Sequence, residues 1–386
     1  GERRDAQHRH GALPDRPVRM SSTYDAVVIG GGLLGSAIGF GLARHGLKTA
    51  ILDEGDVAYR AARGNFGLVW VQSKGIGAPA YADWTMRSSE LWFDLAAELL
   101  DRTGVDVNHT RPGGIHICLS DAEFEERAKK MATLSSHQHE KFSHQMLDRQ
   151  ALAEYLPGLG PEVVGGSYSP HDGHVNPLRL LRALQRAFVD LGGEICTDSR
   201  ALSISRDDES YVVKTKSGEF STGRVVLAAG LGNRDLASMV DLEQPVRPVK
   251  GQIMVSERVQ PFLDIPTTHV RQTNEGTVMI GDSHEEVGYD LSSTPRVARE
   301  IADRARRSFP FLNRVRIVRT WAALRVMTPD GLPIYDQSET MPGVFSASCH
   351  SGVTLAATHA FVYAPYVADG KIGDELAALS ARRFDV

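Results

Sequence analysis

Cysteine is scarce in this chain. There are three in 386 residues, Cys118, Cys196 and Cys349, far apart and with no CxxC pair. That disfavours a disulfide framework, an iron–sulfur cluster or a structural zinc site, and it fits a reducing cytoplasm. A basic excess is also missing: 43 Lys and Arg face 48 Asp and Glu, a formal net charge of −5. Nothing in the charge therefore argues for nucleic acid. No apolar run reaches the ~20 residues of a membrane-crossing helix. The longest weakly polar stretch, Val27 to Ala43, is rich in glycine instead. Internal repeats and low-complexity linkers are absent too, so the domains of a chain this long are expected to be interwoven rather than tethered. Residues Gly1 to Met20 are polar, Arg-rich and aperiodic, with no apolar stretch for a secretion signal. They read as a disordered extension or a cloning remnant, with Met20 a plausible natural start.

What is present is an ordinary globular composition, 42% apolar and 24% charged, with a clear order of elements. Tyr24 to Ile29 reads as a buried strand. Gly30 to Gly35 is a turn, Ser36 to His45 a helix stopped by Gly46, and Lys48 to Leu52 a second strand, which completes a βαβ unit. Tyr81 to Arg102 predicts a long helix, with Leu91, Leu95 and Leu99 at i+4 spacing and Gly104 beyond its end. Asn176-Pro177 and Thr294-Pro295 are helix-start signals. The first helix carries Leu178, Leu181, Leu184 and Phe188 as its apolar face, and the second ends before Pro310. Tyr211–Lys216 and Glu219–Val226 alternate around Ser217-Gly218 as a hairpin. His137-Gln138-His139, with His144 nearby, is too polar and aperiodic for a metal site and reads as a solvated loop. No metal is expected.

The turn Gly30-Gly31-Gly32-Leu33-Leu34-Gly35 contains G-x-G-x-x-G. Its context gives the motif meaning: a strand precedes it, a helix follows, and Asp53 closes the next strand about 20 residues on. Gly30 permits the tight turn, Gly32 lets backbone approach a pyrophosphate at the positive helix end, and Gly35 lets helix and strand pack closely. Asp53, followed by Glu54, can accept hydrogen bonds from adenosine ribose hydroxyls. This fingerprint does not separate FAD from NAD.

The segment Arg60 to Leu68 (RAARGNFGL) does separate them, unless it is an ordinary surface loop. From here the chain resembles the glycine oxidase/D-amino acid oxidase family of flavoproteins, over roughly Tyr24 to Tyr366. The resemblance implies an α/β and α+β architecture: a Rossmann-type FAD-binding domain interleaved with a substrate domain built on a mixed antiparallel β-sheet. It implies residues 1–22 as a disordered extension, 23–80, 150–244 and 318–386 as the FAD-binding domain, and 81–149 with 245–317 as the substrate domain. Carried over, Ala62, Asn65, Gly67 and Leu68 line the flavin. VVLAAGLG (Val225 to Gly232) resembles a second flavin-contacting strand, with Ala229 and Gly230 near the cofactor, and Ala201 backs the adenine. GVFSASCHSGVTL (Gly343 to Leu355) resembles the family's last strand–turn–helix, where Ser351, Gly352, Val353 and Thr354 meet the flavin pyrimidine end.

The substrate side rests on WAALRVMTPDGLP (Trp321 to Pro333), which resembles the family's carboxylate-binding segment and places its arginine at Arg325. A structural ion pair is the alternative role. Ala323 and Val326 depart from the family's glycine and proline there. The resemblance implies that the strand region from Thr267 to Arg271 faces the substrate, and alternation puts Thr267, His269 and Arg271 on one side, where His269 accepts an amine proton or simply hydrogen-bonds in the core. His350 stands where glycine oxidases carry an arginine and touches flavin or substrate. Some sarcosine oxidases bind FAD through a cysteine just after the arginine segment. Met327 and no cysteine occupy that neighbourhood here, so non-covalent FAD is expected.

The implied activity is dehydrogenation of the C–N bond of an amino acid, secondary amino acid or opine. Hydride passes to flavin N5, and the imine hydrolyses. Within the family, GNFGLVWVQ and CHSGVTLA look most like the flavin-bearing beta subunits of opine (octopine or nopaline) oxidases and D-hydroxyproline dehydrogenase, whose partner subunits carry a second redox centre. Three readings stay open at this stage: a stand-alone amine oxidoreductase, a partner-dependent flavoprotein subunit, and an NAD-dependent dehydrogenase.

Overall fold

The structure is a computed structural model that describes residues 22–55, 61–138 and 141–385. The expected extension, residues 1–22, lies outside the described residues except for Ser22, which opens a strand. Arg60 and His139, part of the flavin stretch and of the histidine loop, also lie outside them.

Among the described residues, six strands form the central sheet. Their order is Ile334–Gln337, Val344–Ser348, Val225–Leu227, Ala26–Ile29, Thr49–Leu52 and Glu194–Cys196. All neighbours are parallel except the first pair. Strands Ala26–Ile29 and Thr49–Leu52 are buried throughout, which explains why both read as unbroken apolar runs rather than alternating ones. The helix Leu33–Arg44 joins them and packs closely on its neighbours. A Cβ on Gly41 would lie 2.2 Å from Ala360 O, so this helix meets the C-terminal helical segment backbone to backbone.

Two strands expected as single pieces are each divided between sheets. Tyr24 belongs to the strand Ser22–Tyr24, which pairs with Gly218–Thr222, whereas Ala26–Ile29 belongs to the central sheet. The reason is Asp25. It marks a bend, its carboxylate accepts from Lys48 N at 2.8 Å, and its own amide donates to Lys48 O. The hairpin's second arm divides likewise, at Gly223, into Gly218–Thr222 and Val225–Leu227.

The helix Pro177–Asp190 starts where expected, with Asn176 Oδ1 accepting from the amides of Leu178 and Arg179. Its buried face is Leu180, Ala183, Leu184, Ala187 and Phe188. Leu178, expected on that face, is 56% exposed, because at 100° per residue it points away from the face that buries Pro177, Leu180, Ala183 and Ala187. The long helix Pro79–Thr103 sends Trp84, Trp92, Leu95 and Leu99 into the same core as the helix Leu33–Arg44.

A second sheet is antiparallel: Val270–Gln272, Thr277–Ile280, Arg247–Arg258 and Ile317–Met327. A three-stranded antiparallel sheet, Gly114–Cys118, Gly165–Ser169 and Gln145–Asp148, joins it through a bridge from Ile115 to Thr267. The chain therefore has the α/β and α+β character expected, with a parallel sheet set against antiparallel ones. Among the described residues no helix is long and apolar enough to cross a membrane.

Candidate active site

The glycine turn is built to hold an anion. Gly30 has φ +117°, and a Cβ there would lie 2.2 Å from Ala228 O. At Gly32 the space is open, with no atom within 4 Å of an added Cβ. The helix that begins at Leu33 has no side-chain cap and no acidic residue in its first turn. Its first amides thus face that space with their positive dipole end. Asp53 accepts from Gly31 N and from Gly55 N, both at 2.9 Å, which fixes its carboxylate beside the turn. Glu54 pairs with Arg200 at 3.7 Å. Ala201 is buried just beyond Ser199, whose amide donates to Asp53 O.

From Leu33 the groove opens into a cavity of about 290 Å³. One wall is the stretch after the second strand: Ala62, Asn65, Leu68 and Trp70. A second is the turn Cys349 to Thr354, and a third is the strand Ile317–Met327 through Ala323 and Arg325. The C-terminal turn is tightly held. Trp92 Nε1 donates to the carbonyls of Val353 and Thr354, Ser88 Oγ to Thr354 O at 2.7 Å, and Trp70 N to Thr354 Oγ1 at 3.1 Å. A Cβ on Gly352 would lie 3.8 Å from Leu33 Cβ, so the two ends of the chain meet across the groove.

These features fit an FAD. The open space at Gly32 suits a pyrophosphate at a helix N-terminus. Two indole donors are buried without a hydrogen-bond partner among the described residues: Trp70 Nε1, on a residue of the lining, and Trp321 Nε1, behind the lining beside Gly64. Such donors suit a ligand rich in acceptors.

The polar end of the cavity carries two cations. Arg325 lies flat on Gly251, where any Cβ would come within 2.5 Å of the guanidinium. Its Nη2 pairs with Asp282 at 2.7 Å and its Nη1 donates to Ser283 O at 2.8 Å. Lys74 Nζ lies 3.1 Å from His350 Nε2. Burial, reinforced by Arg325, brings Lys74 down to about 8, and burial with the same two cations holds His350 well below the usual histidine range.

The family described as FAD dependent oxidoreductase, DAO, matches residues 25–364. The chain belongs to that family. An opine oxidase subunit of Rhizobium meliloti is 43% identical to it, over 94% of this chain and 98% of that protein. Its counterpart in Agrobacterium tumefaciens (strain Ach5), also an opine oxidase subunit, is 44% identical over 93% and 97%. Among solved structures, glycine oxidase from Geobacillus kaustophilus superposes with a TM-score of 0.86 at 25% identity, covering 93% of this chain and 98% of that one. The dinucleotide is therefore FAD, not NAD, and the chain is an FAD-dependent oxidoreductase.

For a DAO-family member, most residues singled out in the sequence come together. Gly30, Gly32, Gly35 and Asp53 form the turn. Leu33, Ala62, Asn65, Leu68, Arg325, His350 and Ser351 to Thr354 line the cavity. Gly67, at φ +94°, sits against Arg271 rather than in the lining. Ala229 lies against the Gly30 turn, and a Cβ on Gly230 would meet Val326 at 3.2 Å.

His269 does not line the cavity; Thr268 does. The alternation expected from Thr267 to Arg271 fails because Thr267 closes a turn on Val270, and the strand begins only at Val270. His269 instead stands behind Asp282, with Nδ1 3.9 Å from its carboxylate, and burial lowers its pKa. Several cavity residues escape a reading of the sequence, Ser73, Lys74, Asp282 and Cys349 among them. Cys349 comes from the end of a strand distant in sequence from Arg325, and Lys74 lies on a loop with no periodicity or motif to mark it.

Proposed function

We propose that this cavity dehydrogenates the carbon–nitrogen bond of an amino acid, secondary amino acid or opine. The carrying observation is the pairing of an FAD cradle with a cationic pocket wall at Arg325, in a chain whose relatives include opine oxidase subunits and a glycine oxidase. FAD, when bound, supplies the acceptor for two electrons and a hydrogen from Cα. Gly32 and the amides at the start of the helix Leu33–Arg44 would hold its pyrophosphate, and the turn Ser351 to Thr354 its ring end. Arg325 takes the substrate carboxylate, for which Asp282 now stands in, and so orients Cα. Trp70 and Leu68 exclude water on the opposite wall.

Anaerobic bleaching of the bound flavin against D-amino acids, N-methyl amino acids and opines tests this reading. Reduction by one of these classes is expected, with KM raised on the order of a hundredfold in Arg325→Ala and the flavin retained. No reduction by any of them refutes it.

Non-covalent attachment is part of this proposal, and Cys349, the cysteine of the cavity lining, supports it. Burial pushes its thiol up to about 12, so the nucleophilic thiolate is scarce at neutral pH. Acid precipitation is expected to leave all the yellow colour in the supernatant; colour in the pellet would show a covalent bond.

A second reading is that the chain works within a complex whose other chains carry another redox centre. It draws support from the two relatives named as opine oxidase subunits. Dye reduction with and without co-purified partners separates it from a stand-alone oxidase.

A further inference from the structure

The dehydrogenation just proposed needs a neutral amine, since only a nitrogen lone pair can assist loss of hydride from Cα. An ammonium substrate must first give up a proton, and neither Arg325 nor His269 is placed to take it. We propose that Lys74 is the catalytic base: its amine, hydrogen-bonded to His350 in the cavity wall, accepts the proton of the substrate nitrogen. This rests on the C–N reading above and adds a residue to it. In the step, one N–H bond of the substrate ammonium breaks and a new N–H bond forms on Lys74 Nζ. The electron pair stays on the substrate nitrogen, and Lys74 leaves as an ammonium.

Three observations carry the assignment. Lys74 lines the same cavity as Arg325, so a substrate whose carboxylate is held by Arg325 has its amine within the volume that Lys74 faces. No carboxylate among the described residues forms an ion pair with Lys74; its side-chain partner is the imidazole of His350 at 3.1 Å. A buried cation without a counter-ion is costly, so the neutral amine is within reach.

The loop that carries Lys74 is also held unusually firmly. Asp172 accepts from Val71 N at 2.5 Å and from Gln72 Nε2 at 2.7 Å. Arg127 donates to Gln72 O and Gln72 Oε1 through Nη2, and to Ser73 Oγ through Nη1. These bonds fix the two residues before Lys74, as a base needs when its reach is a single hydrogen bond.

The charged and titratable groups facing Lys74 come from three elements. They are Arg325 on the strand Ile317–Met327, Asp282 after Thr277–Ile280, and Cys349 with His350 after Val344–Ser348; His284 also acts on His350. Burial, reinforced by Arg325 and only partly opposed by Cys349 and Asp282, brings Lys74 down to about 8, so its neutral fraction grows through the physiological range, where a base is most useful.

The test compares the holoenzyme with Lys74→Met and Lys74→Arg, using anaerobic flavin reduction as a function of pH. In the wild type the reduction rate constant should rise through about pH 8. Both variants should keep their flavin and lose on the order of a hundredfold or more at neutral pH. They should then recover at alkaline pH, where the substrate amine ionises by itself. A separate readout needs no turnover: pH-dependent acetylation of Lys74 in the wild type, followed by mass spectrometry. Its midpoint should lie near 8, well under the ~10.4 of an ordinary lysine. A midpoint near the ordinary value overturns the proposal. So does a variant whose profile parallels the wild type, or one that raises KM alone, which would make Lys74 a carboxylate anchor. Failure of the wild type to be reduced by any amine overturns the C–N reading itself, a result distinct from an unchanged pH profile in a working enzyme.

Discussion

Gly35→Val is expected to leave purification colourless, with the flavin's visible absorbance lost and the thermal midpoint lowered. A Cβ at position 35 would sit 1.8 Å from Gly30 O and 3.4 Å from the Val28 side chain. The first contact is with backbone inside the turn itself, so no side-chain rotation relieves it. The helix must lift from the strand, which carries its unpaired amides away from the open space at Gly32. Overpacking of this kind costs about 1–3 kcal/mol and more when backbone must move. Loss of the cofactor removes a further ~4 kcal/mol at a thousandfold excess of ligand over Kd. Gly32→Ala is the matched control. Nothing lies within 4 Å of its added methyl, so the apoprotein should melt unchanged while FAD affinity falls. A yellow Gly35→Val protein of normal stability would contradict the close packing described for this turn.

Asp172→Ala is expected to destabilise the protein by about 3 kcal/mol, read from urea unfolding. The carboxylate is wholly buried and accepts from Val71 N, Gln72 N and Gln72 Nε2. Its removal leaves those donors unpaired and Arg127, also buried, without its nearby anion. Burial outweighs the hydrogen bonds and raises Asp172 to about 7. The sign of its pH dependence follows. A carboxyl whose pKa is raised by folding gives its full contribution below the unfolded value of 3.8, and loses it as pH rises through about 7. The stability advantage of wild type over the non-titrating Asp172→Asn should therefore narrow between about pH 4 and 7 and stay level above. A gap that widens with pH would show the carboxylate to be preferred in its charged form. Both Asp172→Ala and Arg127→Met should also loosen the loop before Lys74, so reduction should slow while flavin stays bound. The double variant should cost less than the sum of the two singles.

What the sequence discloses about this molecule is local and ordered. The βαβ unit, the glycine turn with Asp53, the helix caps at Asn176 and the strand–turn at Gly343 to Leu355 are each written within a dozen residues, so spacing and residue type suffice. The strand divisions at Asp25 and Gly223 escape such reading, because both halves have the same apolar character and only the pairing partner differs. Leu178 on the helix Pro177–Asp190 misleads for the same reason: a neighbour has to be present before a face becomes an inner one. At the site, Arg325 is legible from its segment, and His350 from its place before the last helix. Lys74 is not. Its chemistry depends on Asp172, Arg127 and His350, and the loop's ties to them span about 100, 55 and 276 positions. A single lysine in a polar loop carries no trace of such partners.

The position of Val344–Ser348 beside Val225–Leu227 has a consequence for how the protein is made. A strand needed in the middle of the sheet, and the turn after it, are made more than a hundred residues after the strand they cover. Until then Val225–Leu227 is an exposed, apolar sheet edge, the kind of surface on which unfinished chains aggregate. Capture of the cofactor must accordingly wait for synthesis of the turn Cys349 to Thr354, and a chain cut short before residue 344 would be lost to aggregation rather than merely inactive.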